Sequence, residues 1–127
     1  MPCFKILTNL PKSSIPKDFV DKIIPVLAKT VRKPAEKFIC VVSTDCHVSF
    51  GGESSSPAAI ASLEAIGHIN PEYNKDVITE VTAFVEREVG INPERLFHLF
   101  FQINDYSVLL TKILSSTSRY TCYVLVY

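Results

Sequence analysis

The chain carries one sequence pattern twice, and this duplication sharply restricts its possible folds. The stretch KPAEKFICVV begins at Lys33, and the stretch NPERLFHLFF begins at Asn92. Each stretch has a proline, a glutamate and a basic residue, in that order, before an apolar run typical of a strand. Each also follows a segment whose apolar residues recur at helical spacing. The pattern predicts two β-α-β halves of similar build.

In the first half, residues 4–8 and 38–42 are predicted strands. Between them, the apolar residues of 19–31 fall on one face of a helix. Pro25 interrupts this helix but lies off its apolar face, so we expect a kink toward solvent rather than two helices. The second half has a predicted strand at 60–66, a loop from Gly67, a helix from Asn70-Pro71-Glu72 to Gly90, and a strand at 96–101.

These elements predict an α+β fold in which two β-α-β repeats form one four-stranded sheet with both helices on one face. A chain of 127 residues can bury a proper core, and we expect residues 1–127 to form a single domain. The second face of this sheet would have no cover. A bare sheet face needs a partner, and self-association is the simplest source.

The composition of the chain argues against several classes of binding partner. Lys and Arg together number 13, as do Asp and Glu, and this balance argues against a general affinity for nucleic acid. No apolar run approaches the roughly 18 residues of a membrane span, and no signal peptide is visible at the start. His47, His68 and His98 lie far apart in sequence and no CxxC occurs. The sequence therefore predicts no metal site.

Pro2 directly precedes the first predicted strand, and two interpretations are open from the residue alone. In the structural one, proline simply starts an edge strand at a position that needs no N–H. In the chemical one, removal of Met1 leaves Pro2 with a secondary amine as its α-amino group. An apolar pocket or a nearby cation disfavours the charged form of such an amine, and the neutral form is a competent general base.

Several short motifs, taken in order, carry a family resemblance. After Pro2 come TNLP at residues 8–11, Pro16, Lys33-Pro34, SFGG at residues 49–52 and AIG at residues 65–67. In these motifs and their offsets, the chain resembles the macrophage migration inhibitory factor family, which includes D-dopachrome tautomerase and belongs to the tautomerase superfamily. The resemblance runs from Met1 to about Val108, so that residues 1–108 are family-like and residues 109–127 form a divergent C-terminal tail.

The resemblance implies a homotrimer and a cofactor-free isomerase. Such an enzyme interconverts the keto and enol forms of small aromatic 2-oxo acids such as phenylpyruvate, and tautomerises dopachrome esters. Pro2 matches the family's catalytic base, and Lys33 matches the residue that holds the substrate carboxylate. Ile66 matches the residue whose backbone amide contacts substrate. Phe97 and Val108 match substrate-binding positions of the pocket.

Two departures from the family concern chemistry. The family usually has tyrosine where this chain has Phe97, and asparagine where it has Leu99. Phe97 can wall an aromatic substrate but cannot donate a hydrogen bond, so we expect changed activity or substrate range. The family's CxxC falls in residues 57–61, PAAIA, which contain no cysteine. The thiol oxidoreductase activity attributed to that motif is therefore not expected.

The third departure is the tail itself. The family typically closes with a glycine-aromatic-asparagine-glycine segment that packs against the neighbouring subunit, and residues 109–127 do not fit it. The segment YTCYVLVY at the end of the chain is strongly β-prone, which favours a lineage-specific extra strand. A gene-model error or an alternative exon is the other interpretation, and the sequence leaves both open.

Two further functions remain as alternatives. The first is a cytokine-like ligand of a cell-surface receptor, as the family implies, in a protein that is cytoplasmic and also secreted without a signal peptide. The second is a pseudoenzyme in which Phe97, Leu99 and the altered tail have dismantled the pocket. Other superfamily branches perform decarboxylation or dehalogenation, but the sequence offers no clear carboxylate or arginine to accompany Pro2.

Overall fold

A computed structural model describes residues 2–66, 71–103 and 120–124, with the backbone alone for 103 and 120–124. Three short 3-10 turns lie in the connections, at Lys12–Ser14, Ala35–Lys37 and Pro93–Arg95. None of the helices in the described ranges is long and apolar enough to cross a membrane. The main elements are β1 (Cys3–Thr8), α1 (Phe19–Val31), β2 (Ile39–Ser43), β3 (Ala59–Ile66), α2 (Pro71–Val89), β4 (Leu96–Ile103) and β5 (Tyr120–Val124).

The strands form one sheet in the order β2-β1-β3-β4-β5. β1 pairs in parallel with β2, and β3 pairs in parallel with β4, because a helix connects the two strands of each pair. The two β-α-β halves meet where β1 runs antiparallel to β3. The prediction of two β-α-β repeats, with four strands and two helices, is confirmed.

The duplication extends to the turns that precede the returning strands. Ala35–Lys37 forms a 3-10 turn before β2, and Pro93–Arg95 forms one before β4. In the second turn the Asn92 side chain accepts a hydrogen bond from the Glu94 N–H at 2.9 Å, which caps the turn. In each half, the turn therefore leads the chain from the helix into the second strand.

The core lies between the sheet and the two helices. On α1 the buried residues Phe19, Ile23, Leu27 and Val31 follow each other at intervals of four, which gives one continuous apolar stripe. The Phe19 ring meets Phe84 of α2 at 5.2 Å between centroids, so the two helices pack against each other as well as against the sheet. Further core residues are Phe4, Ile6, Leu63, Val77, Val81, Val85 and Phe100.

Pro25 lies inside α1 without dividing it, since the helix continues unbroken from Phe19 to Val31. Its side chain is exposed, away from the buried stripe. The prediction of one helix rather than two is therefore confirmed. α2 begins at Pro71, and Gly90 follows its last residue with a φ of 72°, a left-handed conformation that suits glycine after a helix. The predicted loop at Gly67 and the predicted cap at Asn70 lie outside the described residues.

The face of the sheet away from the helices is open in the single chain. Leu7, Ile39 and Val41 are each 40–44% exposed on this face, which makes it a patch of large exposed apolar side chains. Lys5 and Glu64 form an ion pair of 2.8 Å in the same layer. The expected uncovered sheet face is present, and its apolar surface is available to a partner.

A fifth strand extends the sheet beyond the predicted four. β5 (Tyr120–Val124) comes from the C-terminal tail and pairs antiparallel with the second part of β4, Leu99 opposite Val124 and Ile103 opposite Tyr120. The interpretation of the tail as containing an extra strand agrees with this pairing.

Candidate functional site

Pro2 lies at the start of β1 with less than 2% of its surface exposed. Its carbonyl accepts a hydrogen bond of 2.9 Å from the Ile39 N–H, which ties it to the first residue of β2. Proline is well suited to this position, because a strand's first residue need not supply an N–H to the ladder. The residue is thus buried and bonded to β2.

Lys33 lies just after α1, where the helix ends in a left-handed turn. Arg32 adopts φ 57° and ψ 44°, and the Lys33 N–H returns to the Ala28 carbonyl at 3.2 Å. The Lys33 Nζ then donates a hydrogen bond of 3.3 Å to the carbonyl of Ile66. An ammonium group has three N–H donors, so this bond leaves two for another acceptor.

The sheet register brings Pro2 to the same end of the molecule as Ile66. Cys3 lies opposite Glu64 in the antiparallel β1–β3 ladder. Pro2, one residue earlier, is therefore level with the residue before Ile66. Pro2, Lys33 and Ile66, three of the five residues that the resemblance assigns to the site, come together at this end of the sheet, which we call the Pro2 end.

Arg32 and Tyr73 bridge the two chain segments that flank the Pro2 end. The Arg32 guanidinium carbon lies 4.8 Å from the centre of the Tyr73 ring, and its Nη1 is 3.4 Å from the Tyr73 hydroxyl. Arg32 immediately precedes Lys33, and Tyr73 is in the first turn of α2. This contact fixes the end of α1 against the beginning of α2, next to the Lys33–Ile66 hydrogen bond.

Phe97 lies at the opposite end of β3 from the Pro2 end. It pairs with Ile60, six residues before Ile66, which corresponds to roughly 20 Å along the strand. Leu99 is opposite Ser62, also away from Ile66. Within one chain, Phe97 and Pro2 therefore do not line the same pocket. Val108, the fifth assigned residue, lies outside the described residues.

Three cavities lined by described residues lie away from the Pro2 end. One of about 630 Å³ is bordered by the loops around Asn9 and Cys46. Another of about 760 Å³ lies beside Lys12 and Phe19, and a third of about 480 Å³ lies between α2 and the start of β4. In the described ranges, no group of three or more His, Cys, Asp or Glu is arranged to hold a metal ion.

Sequence reasoning missed a polar pair, buried His98 and half-buried Thr82, on the helix side of the sheet. His98 is only 7% exposed, and its Nε2 lies 3.0 Å from the Thr82 hydroxyl on α2. Burial disfavours the charged imidazolium and lowers the pKa of His98 to about 4, so the ring is neutral at physiological pH. The sequence signal for this pair is the alternation of side chains along β4. Leu96 and Phe100 face the core, and His98, midway between them, therefore faces the core too.

The chain is similar to known proteins over most of its length. Residues 1–112 match a family model described as macrophage migration inhibitory factor. A macrophage migration inhibitory factor homolog of Trichinella spiralis is 31% identical over 104 residues, covering 82% of this chain and 90% of that protein. The macrophage migration inhibitory factor of Rattus norvegicus is 30% identical over 108 residues, 85% of this chain and 93% of that protein.

Solved structures agree with the sequence matches. The structure of the macrophage migration inhibitory factor from Trichinella spiralis superposes with a TM-score of 0.80 at 27% identity, covering 92% of this chain and 99% of that chain. A macrophage migration inhibitory factor from Oncomelania hupensis gives a TM-score of 0.74 at 25% identity, covering 79% of this chain and 72% of that chain.

Proposed function

Because the chain belongs to the macrophage migration inhibitory factor family, we propose that it is a cofactor-free keto–enol tautomerase with the Pro2 amine as its general acid and base. Its substrates are small aromatic 2-oxo acids of the phenylpyruvate type. The observation that carries the proposal is the hydrogen bond from Lys33 to the Ile66 carbonyl beside the buried Pro2. This contact joins three separate segments of the chain at one end of the sheet.

Lys33 supplies the charge that such a substrate needs. A 2-oxo acid carries a carboxylate, and the two N–H donors of Lys33 that are not used by Ile66 can bind it. The bond to Ile66 restrains the flexible lysine side chain, so that less conformational entropy is lost when substrate binds. The ammonium is half-buried, and its attraction to a carboxylate is less screened there than on an open surface.

The proton transfer uses the amine that appears when Met1 is removed. In its neutral form, the Pro2 nitrogen accepts a proton from the carbon next to the keto group. The electrons of that C–H bond form the C=C bond of the enol, and the keto oxygen gains a proton from solvent or a hydrogen-bond donor. In the reverse direction, the protonated amine returns a proton to the carbon. The buried position of Pro2 favours the neutral amine.

A second copy of the chain supplies the aromatic wall in this proposal. Phe97 is roughly 20 Å from Ile66 along β3, so one chain alone cannot put both residues against one substrate. The open sheet face, with Leu7, Ile39 and Val41 exposed, is suited to contact between copies. We infer a homotrimer in which Phe97 of one copy approaches the Pro2 end of the next.

The experiment is an absorbance assay of phenylpyruvate enol decay with purified Pro2→Gly protein. Glycine leaves a small second residue and a free α-amino group, but removes the rigid secondary amine. We expect the rate to fall by about 10²-fold or more, as for loss of a general acid–base group, with an unchanged circular dichroism spectrum. Pro11→Gly is the matched control, since Pro11 is exposed in the turn after β1. Full activity of Pro2→Gly contradicts the mechanism.

The same variant separates the two alternative functions. If the protein is a receptor ligand whose signalling does not need catalysis, its Pro2→Gly variant should still bind to cells and signal. A pseudoenzyme would already lack enol decay activity in its wild-type form, with Met1 removed. Wild-type activity that depends on Pro2 supports the tautomerase and excludes the pseudoenzyme.

A further inference from the structure

A groove of about 480 Å³ runs between α2 and the beginning of β4, and of its lining residues the proposed tautomerase uses only Phe97. Four α2 residues line it, Lys75, Ile78, Thr79 and Thr82, at the spacing of one helical stripe. We call this cavity the α2–β4 groove. Its volume lies in the range of small-molecule sites in proteins, about 300–1,000 Å³.

Most of the groove surface is apolar. Phe50 and Leu96 form walls with Ile78, and Phe97 lies along one rim. Two charged residues of opposite sign, Lys75 and Glu94, are exposed at the mouth. Because these charges balance, the groove has no strong preference for an ionic ligand.

The polar floor of the groove is the His98–Thr82 pair. His98 Nε2 and Thr82 Oγ1 lie 3.0 Å apart, and the other ring nitrogen, Nδ1, has no hydrogen-bond partner among the described residues. No buried side-chain nitrogen or oxygen in those ranges lacks a partner, so Nδ1 retains accessible surface. Since His98 borders the groove, that surface offers one unused hydrogen-bonding atom to a ligand.

The first half of the duplicated fold has a different residue at the position that corresponds to His98. Counting from the ends of the two 3-10 turns, His98 of β4 corresponds to Cys40 of β2. Cys40 is half-buried against the core of the first half, where it acts as a small apolar residue. The second half thus has a hydrogen-bonding ring where the first half has a thiol.

The Phe50 wall is held in place by its own loop. Phe50 and Glu53 exchange backbone hydrogen bonds of 2.9 and 3.2 Å across a tight turn. The Arg95 guanidinium carbon lies 5.7 Å from the Phe50 ring centre, and its N–H groups donate to the carbonyls of Phe50, Glu53, Ser56 and Pro57. A wall fixed in this way does not have to be ordered by the ligand.

We propose that the α2–β4 groove is a second ligand site, which takes a small uncharged aromatic alcohol of the phenol class. The ring lies between Phe50 and Ile78, and the hydroxyl forms a hydrogen bond with His98. A carboxylate is disfavoured at this floor, because a buried charge would face a neutral ring and a hydroxyl. Within one chain the groove adjoins the Phe97 end of β4, away from the Pro2 end. In the proposed homotrimer its Phe97 rim is near the Pro2 end of the next copy, but Phe50, Ile78 and His98 are not assigned to the tautomerase site.

The test is an NMR titration of the full chain with p-cresol as the probe, read on the backbone amides. We expect saturable shifts at α2 and β4 amides such as those of Thr79, Thr82 and His98. Thr79→Trp places an indole in the groove from an exposed position and should weaken binding at least tenfold. Ala83→Trp adds the same indole at an exposed α2 position that does not line the groove, and should stay within twofold of wild type.

Two analogues and a floor variant test the chemistry of the ligand. 4-Methylanisole lacks the hydroxyl proton and p-toluate carries a carboxylate, and both should bind at least fivefold more weakly than p-cresol. Thr82→Val, which keeps the shape of the floor, should also weaken p-cresol. The proposal is overturned if p-cresol fails to bind, if Thr79→Trp binds it like wild type, or if the shifts cluster at Cys3 and Ile66. Enol decay by the same protein is measured separately and is not affected by these outcomes.

Discussion

His98 shows how one residue can change the chemistry of a duplicated fold. Its counterpart Cys40 is buried enough that the pKa of its thiol is raised to about 11, so it stays protonated and takes part only in packing. His98 is also kept neutral by burial, but it retains hydrogen-bonding capacity and a partner in Thr82. Composition and motif spacing gave no hint of this pair, because its two residues meet only across the β4–α2 contact.

The lowered pKa of His98 makes a prediction about stability and pH. The unfolded chain binds a proton near pH 6.5 but the folded chain only near pH 4, so stability is lost as the pH falls between these values. At pH 5 we expect a loss of about 2 kcal/mol relative to pH 7 from this residue. Urea unfolding of His98→Phe should lack this part of the pH dependence, whereas exposed His47→Asn should retain it. An equal pH dependence in wild type and His98→Phe would refute the assignment.

Among the elements, the loop of residues 50–57 depends on one side chain from outside it. Arg95, at the end of the turn before β4, donates to four loop carbonyls and forms an ion pair of 3.0 Å with Glu53. The Glu53 carboxylate also accepts hydrogen bonds from Ser55 and Ser56, which lower its pKa to about 2. Arg95 is largely buried and presents several donors at once, a geometry that methionine or lysine cannot reproduce.

Arg95→Met should therefore destabilise the fold by about 2 kcal/mol, because several loop carbonyls lose their donor together. Lys29→Met on the exposed side of α1 is the matched control, and we expect it to cost less than about 0.5 kcal/mol. Urea unfolding at neutral pH measures both. Similar midpoints for the two variants would show that Arg95 does not hold the loop.

Local patterns were sufficient to predict the elements of the two repeats. The apolar stripe predicts α1, and the glycine after α2 predicts where that helix ends. The four predicted strands have ends within two residues of those observed. Sequence could not give the pairing of β5 with β4, nor the position of Phe97 opposite Ile60, since strand order and register depend on contacts between distant segments. The resemblance assigned Phe97 to the pocket but did not say which copy of the chain supplies it.

At the scale of the whole molecule, the aromatic wall proposed for the Pro2 end, Phe97, has to come from another copy of the chain. The open face exposes Leu7, Ile39 and Val41 around the Lys5–Glu64 ion pair, and a second copy would bury this apolar surface. Burial there contributes about 25 cal/mol for each Å² of apolar area removed from water. A site shared between copies explains why Pro2 and Phe97 lie at opposite ends of β3 in one chain.

Complementation between two inactive variants tests a shared site. Pro2→Gly removes the base, and Phe97→Asp places a negative charge where the substrate carboxylate and ring would meet it. When the two chains are refolded together, about a quarter of the interfaces should pair an intact Pro2 with an intact Phe97, by random assembly in a ring. Activity should return in the mixture. A site formed within one chain would remain inactive, because every chain carries one lesion.

The central claim is that the secondary amine of Pro2 performs the proton transfer. It is tested most directly by the enol decay rate of two preparations of the same chain, one with Met1 removed and one with Met1 retained, each verified by intact mass. In the retained form the Pro2 nitrogen is an amide and cannot accept a proton, while Lys33 and Ile66 are unchanged. We predict activity only in the Met1-free protein, and equal rates in the two preparations would contradict the account.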